Sequence, residues 1–138
     1  MPQIRAGDVV RWPYLTVPTA PIDAHDIAAV AVRALREDGH DGAEYVLTGP
    51  ESLSQFEQVA TIGRVIRRPL RIEEITPEDW RRELPSFMPR FVANYLLDAW
   101  AAAIGQPALV TSTVTEITGA PARTFLEWVT DHAADFQA

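Results

Sequence analysis

Hydrophobic spacing along the chain changes period several times, and each change marks an element. Residues 43–50 (Ala-Glu-Tyr-Val-Leu-Thr-Gly-Pro) form a short apolar run closed by Gly49-Pro50. A run this short, rich in β-formers, predicts a strand buried on both faces. A helical pattern follows at once. Ser54 and Glu57 have capping-box spacing, and Val59, Ile62, Gly63 and Ile66 share one face before Pro69 stops the helix. Upstream, Asp23 is a good N-cap for a helix over 23–36, with Asp26 in its first turn and Ile27, Val30, Ala31 and Ala34 as its buried stripe. Helix, strand, helix is the repeating unit of an α/β sheet, whose strands lie between parallel neighbours. The rest of this chain offers too few strands to provide them.

The remaining elements are shorter. Residues 3–19 are irregular, with a possible strand at Val9-Val10-Arg11-Trp12, and alternation at Leu70-Arg71-Ile72-Glu73 predicts another with one wet face. Thr76-Pro77-Glu78-Asp79 starts a short helix that ends by Pro85. The longest helix is expected over 89–104, with Val92, Tyr95, Leu96, Ala99 and Ala103 on one face; Phe91, Leu97 and Trp100 widen it. Residues 108–114 are extended, and a brief helical turn runs to Gly119. A last helix opens at Thr124 and carries Phe125, Trp128, Val129, His132 and Phe136 on its docking face. The fold class is therefore α/β, α+β-like and helix-rich, with few short strands and about five helices, in one domain over 1–138.

Composition narrows the partners. The chain has 138 residues, is 47% hydrophobic and carries a net charge of -7. An acidic surface repels phosphate backbones, so nucleic acid is not an expected partner. Arg64, Arg67, Arg68 and Arg71 cluster near the end of the second helix, where cations suit the helix dipole. With no cysteine there is no disulfide, thiolate metal site or Cys nucleophile. The first eight residues are too polar for a signal peptide, no apolar run approaches membrane-spanning length, and a cytoplasmic protein is expected.

Candidate chemistry is sparse. His25 sits in the first turn of a helix, where the dipole favours neutral imidazole; it and Asp23 are the candidate acid/base pair, although Asp23 also reads simply as a cap. His40 lies in a Gly-flanked turn and His132 on an apolar stripe, a structural position. Trp12 and Tyr14 either line a pocket or cover the core edge, and Met88, Phe91 and Tyr95 at the entrance of the longest helix complete a candidate ligand-binding set. No acidic pair has a third metal ligand nearby, and there is no G-x-S-x-G, G-x-G-x-x-G or P-loop motif. No metal or cofactor is expected on this chain alone.

Four stretches taken together resemble a known family: Ile4-Arg5-Ala6-Gly7-Asp8-Val9-Val10, Ala20-Pro21-Ile22-Asp23-Ala24-His25-Asp26-Ile27-Ala28, Tyr45-Val46-Leu47-Thr48-Gly49-Pro50-Glu51, and Thr118-Gly119-Ala120-Pro121-Ala122-Arg123-Thr124-Phe125. In this order they resemble the C-terminal half of NmrA-like proteins, atypical short-chain dehydrogenases/reductases of actinobacteria-type genomes. The resemblance implies a partial Rossmann-type lobe in which residues 45–48 match a late strand of a parallel sheet. It also implies that the helices after Pro69 form a small substrate-binding lobe, and that the NAD(P)-binding half lies outside this chain. Three functions follow as expectations: a domain binding an apolar small molecule without its own hydride transfer, a cofactor-free cyclase or isomerase of secondary metabolism, or a subunit completing a separate NAD(P)-binding chain. A strand without partners exposes an apolar face, so a homodimer or a covering partner protein is expected.

Overall fold

A computed structural model describes residues 2–85 and 87–137. In chain order its elements are α1 (Pro2–Ala6), β1 (Val9–Trp12), β2 (Pro18–Thr19), α2 (Ala24–Arg36), β3 (Leu53–Ser54), α3 (Gln55–Ile66), β4 (Arg71–Glu74), α4 (Pro77–Glu83), α5 (Arg90–Ala102), α6 (Thr113–Thr118) and α7 (Phe125–Asp131), closed by a 3₁₀ turn, Ala133–Phe136. The class is the expected helix-rich α/β one. Its seven α-helices include α1, which the sequence pattern did not show.

Local chemistry explains the strongest elements. Ser54 and Glu57 form the full capping box of α3, and Thr124 and Glu127 repeat it at α7. Thr76 caps α4 with Pro77 behind it. Both predicted short strands exist and pair with each other in parallel, Val9 opposite Arg71 and Trp12 opposite Glu74. A second, two-residue antiparallel contact joins β2 to β3.

Two apolar clusters hold the chain. The larger gathers Ile4, Val10, Val59, Ile62, Val129 and Phe136 from α1, β1, α3, α7 and the 3₁₀ turn. Arg68 fastens its edge: the guanidinium donates to the carbonyls of Ile4 (2.9 Å) and Gly7 (3.0 Å) and pairs with Asp8. The smaller cluster packs Trp80, Ala93 and Leu97 against Trp12, Leu84, Met88 and Trp100. β1 belongs to both, through Val10 and Trp12.

Three expectations need correction. Residues 43–48 are extended but join no ladder among the described residues, and Val46 is 59% exposed. Thr111, in the segment 107–111, meets them through side chains. The Thr111 amide donates to Thr48 Oγ1 (2.8 Å), and Thr111 Oγ1 donates to the Val46 carbonyl (3.0 Å). A strand buried on both faces needs backbone partners on both sides, and the described residues supply none. For the same reason only Val30 and Asp26 of α2 are buried. Ile27 and Ala31 of the predicted stripe are open, as is Leu35 at 86% exposure, because no sheet lies beneath them. In α5 the buried positions are Ala93 and Leu97, with Leu96 and Trp100 partly covered, while Tyr95 faces outward. That helix is apolar nearly all round, so periodicity alone did not fix its phase.

Candidate functional site

The smaller cluster borders an apolar cavity. Trp12, Trp80 and Trp100 meet with ring centroids 5.3–5.7 Å apart in tilted and edge-on geometries, which suit the quadrupoles of aromatic rings. β1 presents Trp12, the first turns of α4 present Trp80, and the outer part of α5 presents Trp100. Beside this triad lies a cavity of about 440 Å³ with a predominantly apolar wall of Val10, Trp12, Trp80, Leu84, Phe87 and Met88. At its rim, Glu83 pairs with Arg11.

A groove of about 700 Å³ adjoins it and shares Leu84, Pro85 and Met88. Its other walls are polar: Arg81, Arg82, Arg90, Glu78 and Asn94. Arg82 is held by Glu78 (3.0 Å) and Asp79 (2.9 Å), and these carboxylates raise its pKa above the ordinary value. Arg81 donates from Nε to Asn94 Oδ1 (2.9 Å), which leaves its terminal nitrogens toward the groove without a carboxylate among the described residues.

Tyr14 belongs to the loop above. Its φ of 53° is left-handed, a conformation an aromatic residue adopts only when its surroundings enforce it. The Tyr14 carbonyl closes a turn with the Val17 amide (3.0 Å), and the ring packs against the smaller cluster.

The sequence-derived candidates separate into two places. Trp12 and Met88 line the cavity and Tyr14 packs on the same cluster. Phe91 and Tyr95 lie on the outer face of α5, 75% and 72% exposed, and line neither the cavity nor the groove. Asp23 and His25 stand elsewhere, at the start of α2. The buried Asp23 carboxylate accepts from the His25 amide (2.9 Å) and ring Nδ1 (3.1 Å), and its other oxygen lies 2.7 Å from Arg123 Nε. The Nε–H is not aligned with that last contact, which is an ion pair rather than a hydrogen bond. Burial raises the Asp23 pKa, but the bonds from His25 and the charges of Arg123 and His25 outweigh it and leave the group below its ordinary value. Asp26 accepts from the Arg123 amide (2.8 Å). Both acids thus fasten the loop before α7 to α2. A carboxylate so paired is a weak proton acceptor at neutral pH, and the His25 side chain is 74% exposed.

Other site residues escaped the sequence reading. Trp80, Leu84, Arg81 and Arg90 form the cavity and groove, and the one available signal was that four tryptophans occur in 138 residues, three of them converging. His132 takes the structural place expected of it, with Nδ1 2.8 Å from the Trp128 carbonyl and its ring stacked on Trp128.

A dinucleotide requires a dedicated phosphate site. Its pyrophosphate needs a glycine-lined turn leading to an open helix N-terminus. Here the N-termini of α2 and α3 are each occupied by carboxylates, Asp23 with Asp26 and Glu57.

No family model matches the chain. It is 43% identical over 136 residues to a (4-alkanoyl-5-oxo-2,5-dihydrofuran-3-yl)methyl phosphate reductase of Streptomyces griseus, covering 98% of this chain and 48% of the relative. It is 42% identical over 119 residues to an NAD(P)H azoreductase of Xenophilus azovorans, covering 85% and 42%. The chain thus spans about half the length of the curated relatives it matches, and those relatives are oxidoreductases. Among solved structures, an NADPH-dependent quinone oxidoreductase of Escherichia coli superposes with a TM-score of 0.77 at 23% identity, over 94% of this chain and 48% of that one. A triphenylmethane reductase of Citrobacter sp. gives 0.75 at 13% identity, over 97% and 47%. These superpositions show a partial Rossmann-like fold matching about half of each of those chains.

Proposed function

We propose that this chain is the substrate-binding portion of an NmrA-like, NAD(P)H-dependent reductase, and that the nicotinamide cofactor is held by a separate Rossmann-type segment docked against it. The carrying observation is that segments 43–48 and 107–111 meet through side-chain bonds at Thr48, Val46 and Thr111 with no backbone ladder among the described residues. Ile27, Leu35, Val46 and Leu109 each leave apolar surface in water. Such a surface is costly for a monomer and suits a covering sheet. The relatives supply the reaction class: both are named as reductases, and the chain matches about half of each. The Trp12–Met88 cavity is then the place for a small organic substrate, shaped by this chain while the cofactor approaches from the partner. This chain's residues bind and orient; hydride transfer belongs to the assembled pair.

The reading as a cofactor-free isomerase receives less support, because Asp23 and His25 are committed to each other and to Arg123 and stand apart from the cavity. A symmetric dimer of this chain is the competing way to cover the apolar surface.

The test mixes this chain with the cofactor-binding half of the Streptomyces griseus relative. Light scattering should show a one-to-one complex, and NADPH should bind the mixture and not the chain alone. Leu35→Glu with Val46→Glu should abolish the complex while leaving the chain folded. Micromolar NADPH affinity of the lone chain, or a two-fold dimer that ignores the added half, would overturn the proposal.

A further inference from the structure

We infer that the outer edge of β4 is a self-association surface, on which a second copy of this chain lays its own β4 antiparallel about a two-fold axis at Ile72. The ladder fixes which groups face outward. The Arg71 amide donates to the Asp8 carbonyl (2.7 Å) and the Ile75 amide to the Trp12 carbonyl (3.2 Å). Alternation turns the backbone of Arg71 and Glu73 toward β1, and the amides and carbonyls of Ile72 and Glu74 away from it. Among the described residues nothing pairs with those outward groups. The opposite edge of the sheet is closed, because Gln3 lies along β1 in place of a strand. Its Oε1 accepts from the Arg11 amide (2.6 Å), and its Nε2 donates to the Arg11 carbonyl (3.3 Å). One edge is sealed and the other is open.

Charge selects a second copy as the occupant. Antiparallel pairing sets outward residues opposite one another, which leaves three two-fold registers within the strand. Glu74 opposite its own copy sets like charges together, and Ile72 opposite Glu74 sets Glu73 against the second Glu73. Ile72 opposite Ile72 instead sets Arg71 against Glu73, and the symmetry repeats that opposite-charge pair. Arg71 and Glu73 are exposed and make no ion pair among the described residues. In this register they occupy the non-hydrogen-bonded positions, where facing side chains come closest. Beside the strand, Phe56 (60% exposed), Val59, Ala60 and Leu70 line a cavity of about 420 Å³. The added strand covers this apolar wall, so burial joins the backbone bonds. The edge shares no residue with segments 43–48 and 107–111.

Sedimentation equilibrium of the lone chain, from about 10 μM to about 1 mM, should show a reversible monomer–dimer equilibrium. Arg71→Glu alone and Glu73→Arg alone each set like charges at both cross-strand pairs and should weaken the dimer at least about tenfold. Circular dichroism should show both variants folded, since both side chains are exposed. Mixing the two variants should restore association between them, and the double reversal Arg71→Glu with Glu73→Arg should restore the homodimer. Glu74→Pro, which removes an outward amide, should weaken it. Leu35→Glu with Val46→Glu should leave it unchanged. A monomer throughout the range would overturn the proposal, as would a dimer indifferent to either single reversal or a double reversal that restores nothing. Loss of the dimer in the Leu35→Glu, Val46→Glu variant would overturn it too, by moving the contact to the other surface. NADPH and the cofactor-binding half are absent from the measurement, so its result stands whether or not the partner assay succeeds.

Discussion

Gly49→Ala tests the placement of the unladdered segment. A Cβ at this position would lie 2.7 Å from the Pro21 carbonyl carbon and still nearer its oxygen. Carbon atoms in contact prefer about 3.5–4.0 Å, so the two backbones must separate by on the order of 1 Å. That movement strains or breaks the bond from the Gly49 amide to the Ala20 carbonyl (3.2 Å). Overpacking of this kind costs about 1–3 kcal/mol and a lost hydrogen bond about 0.5–1.5, giving roughly 2–4 kcal/mol together. For a chain of 138 residues this is a fall in Tm of roughly 8–15 °C. Urea unfolding followed by circular dichroism measures it, with Gly7→Ala as the control. Nothing lies within 4 Å of a Cβ at Gly7, and that change should stay within about 0.5 kcal/mol. If Gly49→Ala is as mild as Gly7→Ala, then 48–50 does not lie against Pro21 and the packing of the segment is wrong.

Further outcomes follow from the two clusters and the α2 latch. Leu97→Ala should cost about 2–5 kcal/mol and broaden the fluorescence transition of the tryptophan triad, because Leu97 is fully buried against Trp80 and Ala93. Ile62→Ala should cost a similar amount, read by loss of helical signal, since Ile62 is sealed in the larger cluster. The Asp23 carboxyl is depressed when folded, so its contribution is complete above the unfolded value near 4 and is lost as pH falls below it. Asp23→Asn should lower stability by about 1–2 kcal/mol at pH 7 while the gap to the parent closes in acid, as paired urea titrations at pH 7 and pH 3 would show. Leu35→Glu should change stability by less than about 0.5 kcal/mol, because Leu35 touches little in the lone chain; a larger loss by thermal melting would mean that face is already covered.

Much of the fold was written locally. The capping boxes at Ser54 and Thr124 and the Thr76-Pro77 start involve side chains three residues from the amides they satisfy, so spacing alone reveals them. Residues 45–48 show the opposite case. Their apolar pattern anticipates a sheet, yet a strand exists only if another backbone lies beside it, and among the described residues none forms a ladder with them. The site was half legible. Trp12 and Met88 were visible as aromatic and flexible residues at element boundaries. Arg81 and Arg90 were not, because their roles depend on which arginines are neutralised by neighbours, a property of the fold rather than of spacing. Phe91 and Tyr95 misled through the phase of α5, whose near-uniform apolar surface left the buried side undetermined.

The peptide groups of residues 43–48 that lie outside any ladder also govern how the protein behaves in a tube. Amides and carbonyls with no ladder partner are open to any extended chain that drifts past, including another molecule of the same kind. Where a second chain pairs with this segment, folding and association are linked by mass action, and a melting temperature taken at one dilution does not describe the protein at another. Raising the concentration tenfold should move the midpoint upward, and saturating the segment with its proper mate should make that drift disappear.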